Sequence, residues 1–259
     1  MSNTSPVCLT IAGSDCSGGA GIQADLKTWS RLKVFGASVV TAVVAESAKR
    51  VVRIDPMPVA SVSEQMNVVL EDMPVATIKS GMFGSAKILQ AVIECWRAQK
   101  RTPSLVVDPV LVATTGDPLH RGGPFIRLMN DWLSCASLVT PNVSEAQTLL
   151  KTGELKPEEL ALRAVEAWEV PVLITGGDQS GDQIIDYYAD EWGLQCLKSG
   201  RLPGGPFHGS GCTLSAAITA YLALDHDLPD AIRLGRLFVR KTMKHALRLK
   251  RKSYLDHTR

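Results

Sequence analysis

Short, β-branched apolar runs alternate with amphipathic stretches along the whole sequence, and this alternation restricts the fold more than any other feature. Residues 7–12, 37–44, 76–79, 105–108, 138–140 and 172–175 read as strands. The unbroken Ala-Ser-Val-Val-Thr-Ala-Val-Val of 37–44 is the pattern of a parallel strand covered on both faces. Helical periodicity marks 22–32, 61–72, 85–99, 125–133, 144–150 and 158–168, and two further helices are expected at 211–224 and from 229 to about 250. Residues 51–54 fit an edge or flap strand, 184–189 with 194–197 fit a hairpin, and Thr114-Thr-Gly-Asp117 falls in a loop. No linker or internal repeat interrupts the pattern. Residues 1–259 are therefore expected to form one α/β domain with a central, mainly parallel sheet flanked by helices on both faces. Ligands of such sheets bind at the carboxyl ends of the strands, so the loops there should carry the chemistry.

Composition removes several alternatives. At 45% hydrophobic and 21% charged, with 21 Gly and 14 Pro, the sequence is neither disordered nor collagen-like. Its longest mostly apolar stretches, 37–45 and 214–224, fall short of the ~18 residues a membrane span needs, and the N-terminus lacks the pattern of a secretory signal. Six scattered cysteines without C-x-x-C spacing form neither a disulfide framework nor a zinc site, which fits a reducing cytoplasm. Residues 233–252 hold nine Lys or Arg and no acid, so within a net charge of +2 the remainder carries −7. That stretch reads as the solvated face of a helix whose buried stripe is Leu234, Phe238, Ala246 and Leu249. The charges are not interleaved with aromatic residues free to stack on bases, and the rest of the chain is acidic. Neither nucleic acid nor membrane is expected as a partner.

Three segments carry candidate chemistry. Gly209-Ser-Gly-Cys-Thr213 opens an apolar helix; small residues let backbone approach a ligand, and the free N–H groups of the first turn form an anion hole suited to phosphate. It also reads as a plain helix start capped by Ser210. Gly13-Ser-Asp-Cys-Ser-Gly-Gly-Ala-Gly21 follows the first strand, but glycines at 13, 18, 19 and 21 do not fit G-x-G-x-x-G. What remains is a loop carrying Asp15 that wraps a small polar ligand, or an ordinary tight turn. Thr140-Pro-Asn-Val-Ser-Glu145 sets Asn142 and Glu145 three residues apart at a helix start, either as oxygen ligands to a hydrated Mg²⁺ or as a capping arrangement. Asp108, before Pro109, serves the same metal or merely ends its strand. No Walker lysine motif, H-E-x-x-H or G-x-S-x-G occurs, and together the segments suggest a kinase with its nucleotide near the C-terminal half.

Six segments in order, Thr10-Ile-Ala-Gly-Ser-Asp15, Ser17-Gly-Gly-Ala-Gly-Ile-Gln-Ala-Asp-Leu-Lys27, Lys79-Ser-Gly-Met82, Asp108-Pro-Val-Leu-Val112, Thr140-Pro-Asn142 with Glu145, and His208-Gly-Ser-Gly-Cys-Thr-Leu-Ser-Ala-Ala217, span most of the chain. They resemble the hydroxymethylpyrimidine and phosphomethylpyrimidine kinases of thiamine biosynthesis, which have a ribokinase-like fold. The resemblance implies that a pyrimidine alcohol sits among Gly13, Asp15, Glu46 and Met82. It implies ATP with Mg²⁺ across the later loops, with Asn142, Thr175 and Gly177 on the nucleotide and Asp108 and Glu145 on the metal side. Gly209, Gly211 and Cys212 would line the anion hole, and Cys212 takes the place of the Asp base of most ribokinase-like enzymes. A thiol pKa lowered by the helix N-terminus would let Cys212 accept the substrate's proton; otherwise it only shapes the pocket. A homodimer is implied by the family alone.

Three departures stand out. Glu46 replaces the family's usual Gln; Thr175-Gly-Gly177 lacks the Lys that generally precedes two glycines; and Lys250-Arg-Lys-Ser replaces a glycine-rich tail. A carboxylate accepts hydrogen bonds from an aminopyrimidine but donates none unless protonated, and losing the Lys removes a phosphate contact. The expected activity is ATP-dependent phosphorylation of the hydroxymethyl group of 4-amino-5-hydroxymethyl-2-methylpyrimidine and of its monophosphate. The alternatives are a pyridoxal or pyridoxine kinase of the same fold and a non-catalytic ligand-binding relative.

Overall fold

The computed structural model describes residues 5–46, 50–100, 102–112, 119–121, 124–250 and 252–259; the expected loop at 114–117 lies outside these. The chain opens with β1 (Val7–Asp15), α1 (Gly21–Arg31), β2 (Phe35–Glu46), β3 (Val51–Pro56), α2 (Val59–Asp72) and β4 (Val75–Ser80). β5 (Gly84–Ser85), α3 (Ala86–Arg97), β6 (Ser104–Val107), β7 (His120–Arg121), α4 (Phe125–Leu133) and β8 (Leu138–Val139) follow. Next come α5 (Val143–Leu150), α6 (Pro157–Trp168), β9 (Val172–Ile174), β10 (Gln183–Asp190) and β11 (Gly193–Gly200). The C-terminal part holds β12 (Phe207–His208), α7 (Ser210–Ala223), α8 (Leu228–Lys244), β13 (Leu247–Leu249) and β14 (Lys252–Tyr254).

Nine strands form the central sheet in the order β11-β10-β9-β8-β6-β4-β1-β2-β3. Six of them, β2 to β9 across the middle, run parallel, while β3 and the β10–β11 hairpin are antiparallel at the two edges, as 51–54 and 184–197 suggested. Alternation along each central strand feeds two layers. Leu9, Ile11, Ile78, Leu105, Val107 and Val139 point to the core shared with α2 to α6. Cys8, Val106, Leu138 and Leu173 point the other way, against α1, α7 and α8. Both faces are thus dry, which is why these strands read as continuous apolar runs. No helix among the described residues is long and apolar enough to cross a membrane.

The last helix differs from the expectation. α8 ends at Lys244, and Leu247–Leu249 and Lys252–Tyr254 form a hairpin that pairs in parallel with β12. The buried stripe is also offset: Ala231, Ile232, Gly235, Val239 and Thr242 face inward, whereas Leu234 and Phe238 are half-buried and Leu249 is exposed. Gly235 causes the offset, because a Cβ there would lie 2.8 Å from Ile218 Cγ1; the helix meets α7 through a missing side chain.

β1 is the topological switch. The chain passes from it to β2 on one side and then to β4 on the other, so the loops after β1 and β4 diverge and leave a crevice between them.

Candidate active site

A cavity of about 1010 Å³ opens along the carboxyl ends of the sheet, and every candidate site residue lines it: Gly13, Asp15, Glu46, Met82, Asp108, Asn142, Glu145, Thr175, Gly177, Gly209, Gly211 and Cys212.

At one end, β1 runs past residue 12 to Asp15, with its register against β2 shifting between Ala12 and Ser14. The Asp15 carboxylate accepts from the backbone N–H groups of Ser17 (2.7 Å), Ala20 (2.9 Å) and Gly19 (3.2 Å) and from Ser17 Oγ (2.8 Å). It therefore builds the glycine-rich turn as well as facing the cavity. Gly21 closes that turn at φ +55°, where any Cβ would run into the Gly13 carbonyl.

Glu46 ends β2 and reaches the same corner. Its carboxylate is not unpaired, as a lone acid in a ring pocket would be: His208 Nε2 lies 3.1 Å from Glu46 Oε1 and 2.8 Å from Asp15 Oδ2. Burial pushes the Asp15 carboxyl up, but His208 and Ser17 outweigh it and hold the group well below the usual carboxylate range. Burial works against a charge on His208, yet Asp15 and Glu46 raise its pKa. The three groups lie within 4.8 Å of one another, close enough to share a cation; the hydrogen bonds already reaching Asp15 account for the cluster without one. Buried Met82, whose carbonyl accepts from Thr41 Oγ1 at 2.6 Å, forms an apolar wall beside Gly13.

The segment expected to form an anion hole occupies the middle. Gly209, not Ser210, is the N-cap of α7, with φ +80° and no side-chain cap bond, and a Cβ on it would collide with the Gly19 carbonyl. The first-turn N–H groups are left for a ligand. Gly211 has nothing within 4 Å of where its Cβ would stand, so its backbone is open to the cavity. Cys212 overturns the expected low pKa. Burial dominates and, with Asp108 and Asp25 nearby, pushes its thiol up to about 12 despite Lys79 and the Gly21 N–H.

Of the two acids expected on a metal, Asp108 is buried and accepts from Ser215 Oγ at 3.0 Å; burial raises its pKa. Glu145 is a helix cap in fact: Asn142 Oδ1 accepts from the Glu145 N–H and Glu145 Oε2 accepts from the Asn142 N–H, each at 2.9 Å. It still faces the cavity, and burial together with the Asp108 charge pushes it up to about 8. The geometry shows the cap and leaves the acid facing the cavity.

Thr175 bridges to Asn142 beside β9, and its N–H donates to the Pro141 carbonyl at 2.9 Å. Arg201 enters from the end of the hairpin, donating to the Gly181 (2.6 Å), Gly177 (3.0 Å) and Gln179 carbonyls, so the loop without the family's Lys is stapled by a distant cation.

Five residues at or beside the cavity do not stand out in the sequence: His208, Lys79, Asp25, Arg201 and His257. Lys79 is fully buried in a pair with Asp25 (2.7 Å), and His257 Nε2 lies 3.0 Å from Thr213 Oγ1 in the first turn of α7. His208, Lys79 and Asp25 stand inside the motif segments, but nothing in their spacing shows which partners they meet.

The profile of the phosphomethylpyrimidine kinase family matches residues 15–256. A hydroxymethylpyrimidine/phosphomethylpyrimidine kinase of Rhizobium meliloti is 39% identical over 94% of this chain and 92% of its own length. A putative hydroxymethylpyrimidine/phosphomethylpyrimidine kinase 2 of Schizosaccharomyces pombe is 38% identical over 93% of this chain, which spans 47% of that longer protein. Among solved structures, the pyridoxal kinase of Staphylococcus aureus in complex with AMP-PCP and pyridoxal is similar with a TM-score of 0.86 and 32% identity, covering 98% of this chain and 94% of that one.

Proposed function

This chain belongs to the phosphomethylpyrimidine kinase family, and from that membership we propose that it transfers the γ-phosphoryl group of ATP to the hydroxymethyl group of 4-amino-5-hydroxymethyl-2-methylpyrimidine and to the phosphate of the product. One observation carries the reading: a single cavity holds a ring-sized corner (Asp15, Glu46, Met82) and, beside it, the open first turn of α7.

The chemistry follows from the residues. Glu46 accepts hydrogen bonds from the exocyclic amine and from the adjacent ring nitrogen in its protonated form, which turns the hydroxymethyl arm toward Cys212. As a protonated thiol, Cys212 orients the hydroxyl rather than taking its proton in advance; a loose phosphoryl transition state asks little of a base. The N–H groups around Gly211 stabilise the charge on the moving group, fixed donors being worth most where charge develops. Asn142, Thr175 and Gly177 line the nucleotide end. Two acids facing one cavity, both pushed toward neutrality, suit a hydrated divalent cation, and Asp108 and Glu145 would hold Mg²⁺ there. That ion, when bound, would neutralise phosphate charge.

Likeness to pyridoxal kinases favours a second reading, pyridoxal as the alcohol. ATP turnover measured in parallel with the aminopyrimidine alcohol, its monophosphate and pyridoxal separates the two. Turnover of pyridoxal alone would overturn the first.

A further inference from the structure

Lys79 lines the cavity, is fully buried, and is used by none of the roles above. It stands at the carboxyl end of β4 on the face covered by α1 and α7, where Nζ donates to Asp25 Oδ1 at 2.7 Å and Oδ2 at 3.0 Å; Asp25 also accepts from Thr10 Oγ1 at 2.6 Å. Among the described residues it is the only Lys or Arg that is buried.

Such a pair is an expensive way to hold a fold. Desolvation of two ions cancels most of their attraction, and apolar residues of similar volume do as well or better. One step back along the same strand face, Thr77 uses a neutral solution, meeting Cys8 Sγ at 3.0 Å and the Thr219 carbonyl at 3.1 Å. The charge at 79 therefore needs another reason.

Its surroundings supply one. Cys212 and Asp108, both on the cavity wall, lie close enough for the ammonium to act on them. Nζ also lies 3.5 Å from where a Gly81 Cβ would stand, again on the wall. The acids Asp15, Glu46, Asp108 and Glu145 face the same space, and each is a hostile neighbour for a phosphoryl group whenever it is present as the carboxylate.

We propose that Lys79 is a positioning residue for phosphoryl transfer: a fixed positive charge beneath the first turn of α7 that offsets those carboxylates as charge spreads over the moving group, with Asp25 and Thr10 as its holders. The role rests on the kinase reading above. A charge already fixed by Asp25 needs no reorganisation during the reaction, the condition under which electrostatic stabilisation is largest.

The test keeps the pair and removes the charge. Lys79→Gln alone strands a buried Asp25, so Lys79→Gln is combined with Asp25→Asn, which preserves a side-chain pair and an acceptor for Thr10. Lys79→Met with Asp25→Leu serves as the apolar version should the amide pair not fold. The folded double variant is expected to keep KM for ATP and for the alcohol within about threefold while kcat falls roughly 10- to 100-fold. Affinity for ADP with aluminium fluoride, a mimic of the moving group, should fall by a similar factor, with ADP alone unchanged. A folded double variant with wild-type kcat and wild-type affinity for the mimic would overturn the proposal and leave the pair a structural one. A wild-type protein that phosphorylates none of the three alcohols would overturn the kinase reading instead, and the two nucleotide affinities would still decide Lys79.

Discussion

Glu46 Oε1 lies 3.1 Å from His208 Nε2, and the same imidazole nitrogen lies 2.8 Å from Asp15. Glu46, where the family's usual residue is Gln, thus comes with a counter-group within hydrogen-bond reach.

Glu46→Gln should therefore change selectivity, not merely activity. An aminopyrimidine presents an exocyclic amine beside a protonatable ring nitrogen, two donors for one carboxylate, whereas pyridoxal has no such amine. Replacing a charged acceptor by a neutral one should cost the aminopyrimidine about 1–3 kcal/mol. Measured kcat/KM should fall roughly 10- to 100-fold for the aminopyrimidine and little for pyridoxal. Equal losses for both alcohols would remove Glu46 from ring recognition.

The two anion-hole glycines should fail differently. Gly211→Val should abolish turnover while melting near the wild type, because its side chain enters open cavity where phosphate must approach. Gly209→Ala should lose stability as well, since that residue sits at φ +80° against the Gly19 carbonyl. Activity near normal in a folded Gly211→Val protein would dismantle the hole.

Glu145→Gln separates cap from ligand. Gln can keep both capping hydrogen bonds but loses the acceptor for the Leu111 N–H (3.3 Å), so the melting temperature should fall less than in the Ala variant, while the Mg²⁺ concentration for half-maximal rate should rise roughly tenfold. Glu145→Ala should raise it too and also lose the cap, about 1 kcal/mol. An unchanged Mg²⁺ titration in the Gln variant would make Glu145 a cap only.

Acid should act through His257. Burial, with Lys27 nearby, holds its imidazole down at about 4 against an ordinary 6.5, so the fold favours the neutral ring. The resulting stability is complete above about pH 6.5 and is lost as pH falls through about 4, at most about 3 kcal/mol. Because His257 touches Thr213, the first turn of α7 loosens with it. His257→Gln should flatten the melting temperature between pH 7 and 4.5 relative to the wild type; parallel curves would refute the assignment.

Much of the sheet was legible because residues 105–108 and 172–175 hold the continuous apolar runs of doubly covered strands. In 37–44, expected to be covered on both faces, Val43 is 47% exposed and Ser38 and Val40 are half-buried, because β2 lies next to the sheet edge. Loop acids and glycines were legible as candidates because a switch-point fold leaves them nowhere else to act. What stayed hidden depends on contacts distant in sequence. Nothing around residue 246 announces that the chain turns back to pair with β12, and Ala246-Leu-Arg-Leu-Lys250 has good helix formers throughout. Gly235 carries no hydrophobic signal although it sits at the tightest contact of α8. The pKa of Cys212 was misread because the helix N-terminus is visible in the sequence and the burial that outweighs it is not.

Asp15 and His208 meet across a sequence separation of 193, and this corner of the cavity exists only where they touch. Neither half of the chain can hold a partial version of the site, and closing so long a loop is slow in a parallel-sheet topology. Recovery of catalysis after denaturation should therefore report the closing of the whole sheet, lagging behind any helical signal. A cut anywhere between these two residues that lets the fragments drift apart extinguishes activity completely rather than by degrees.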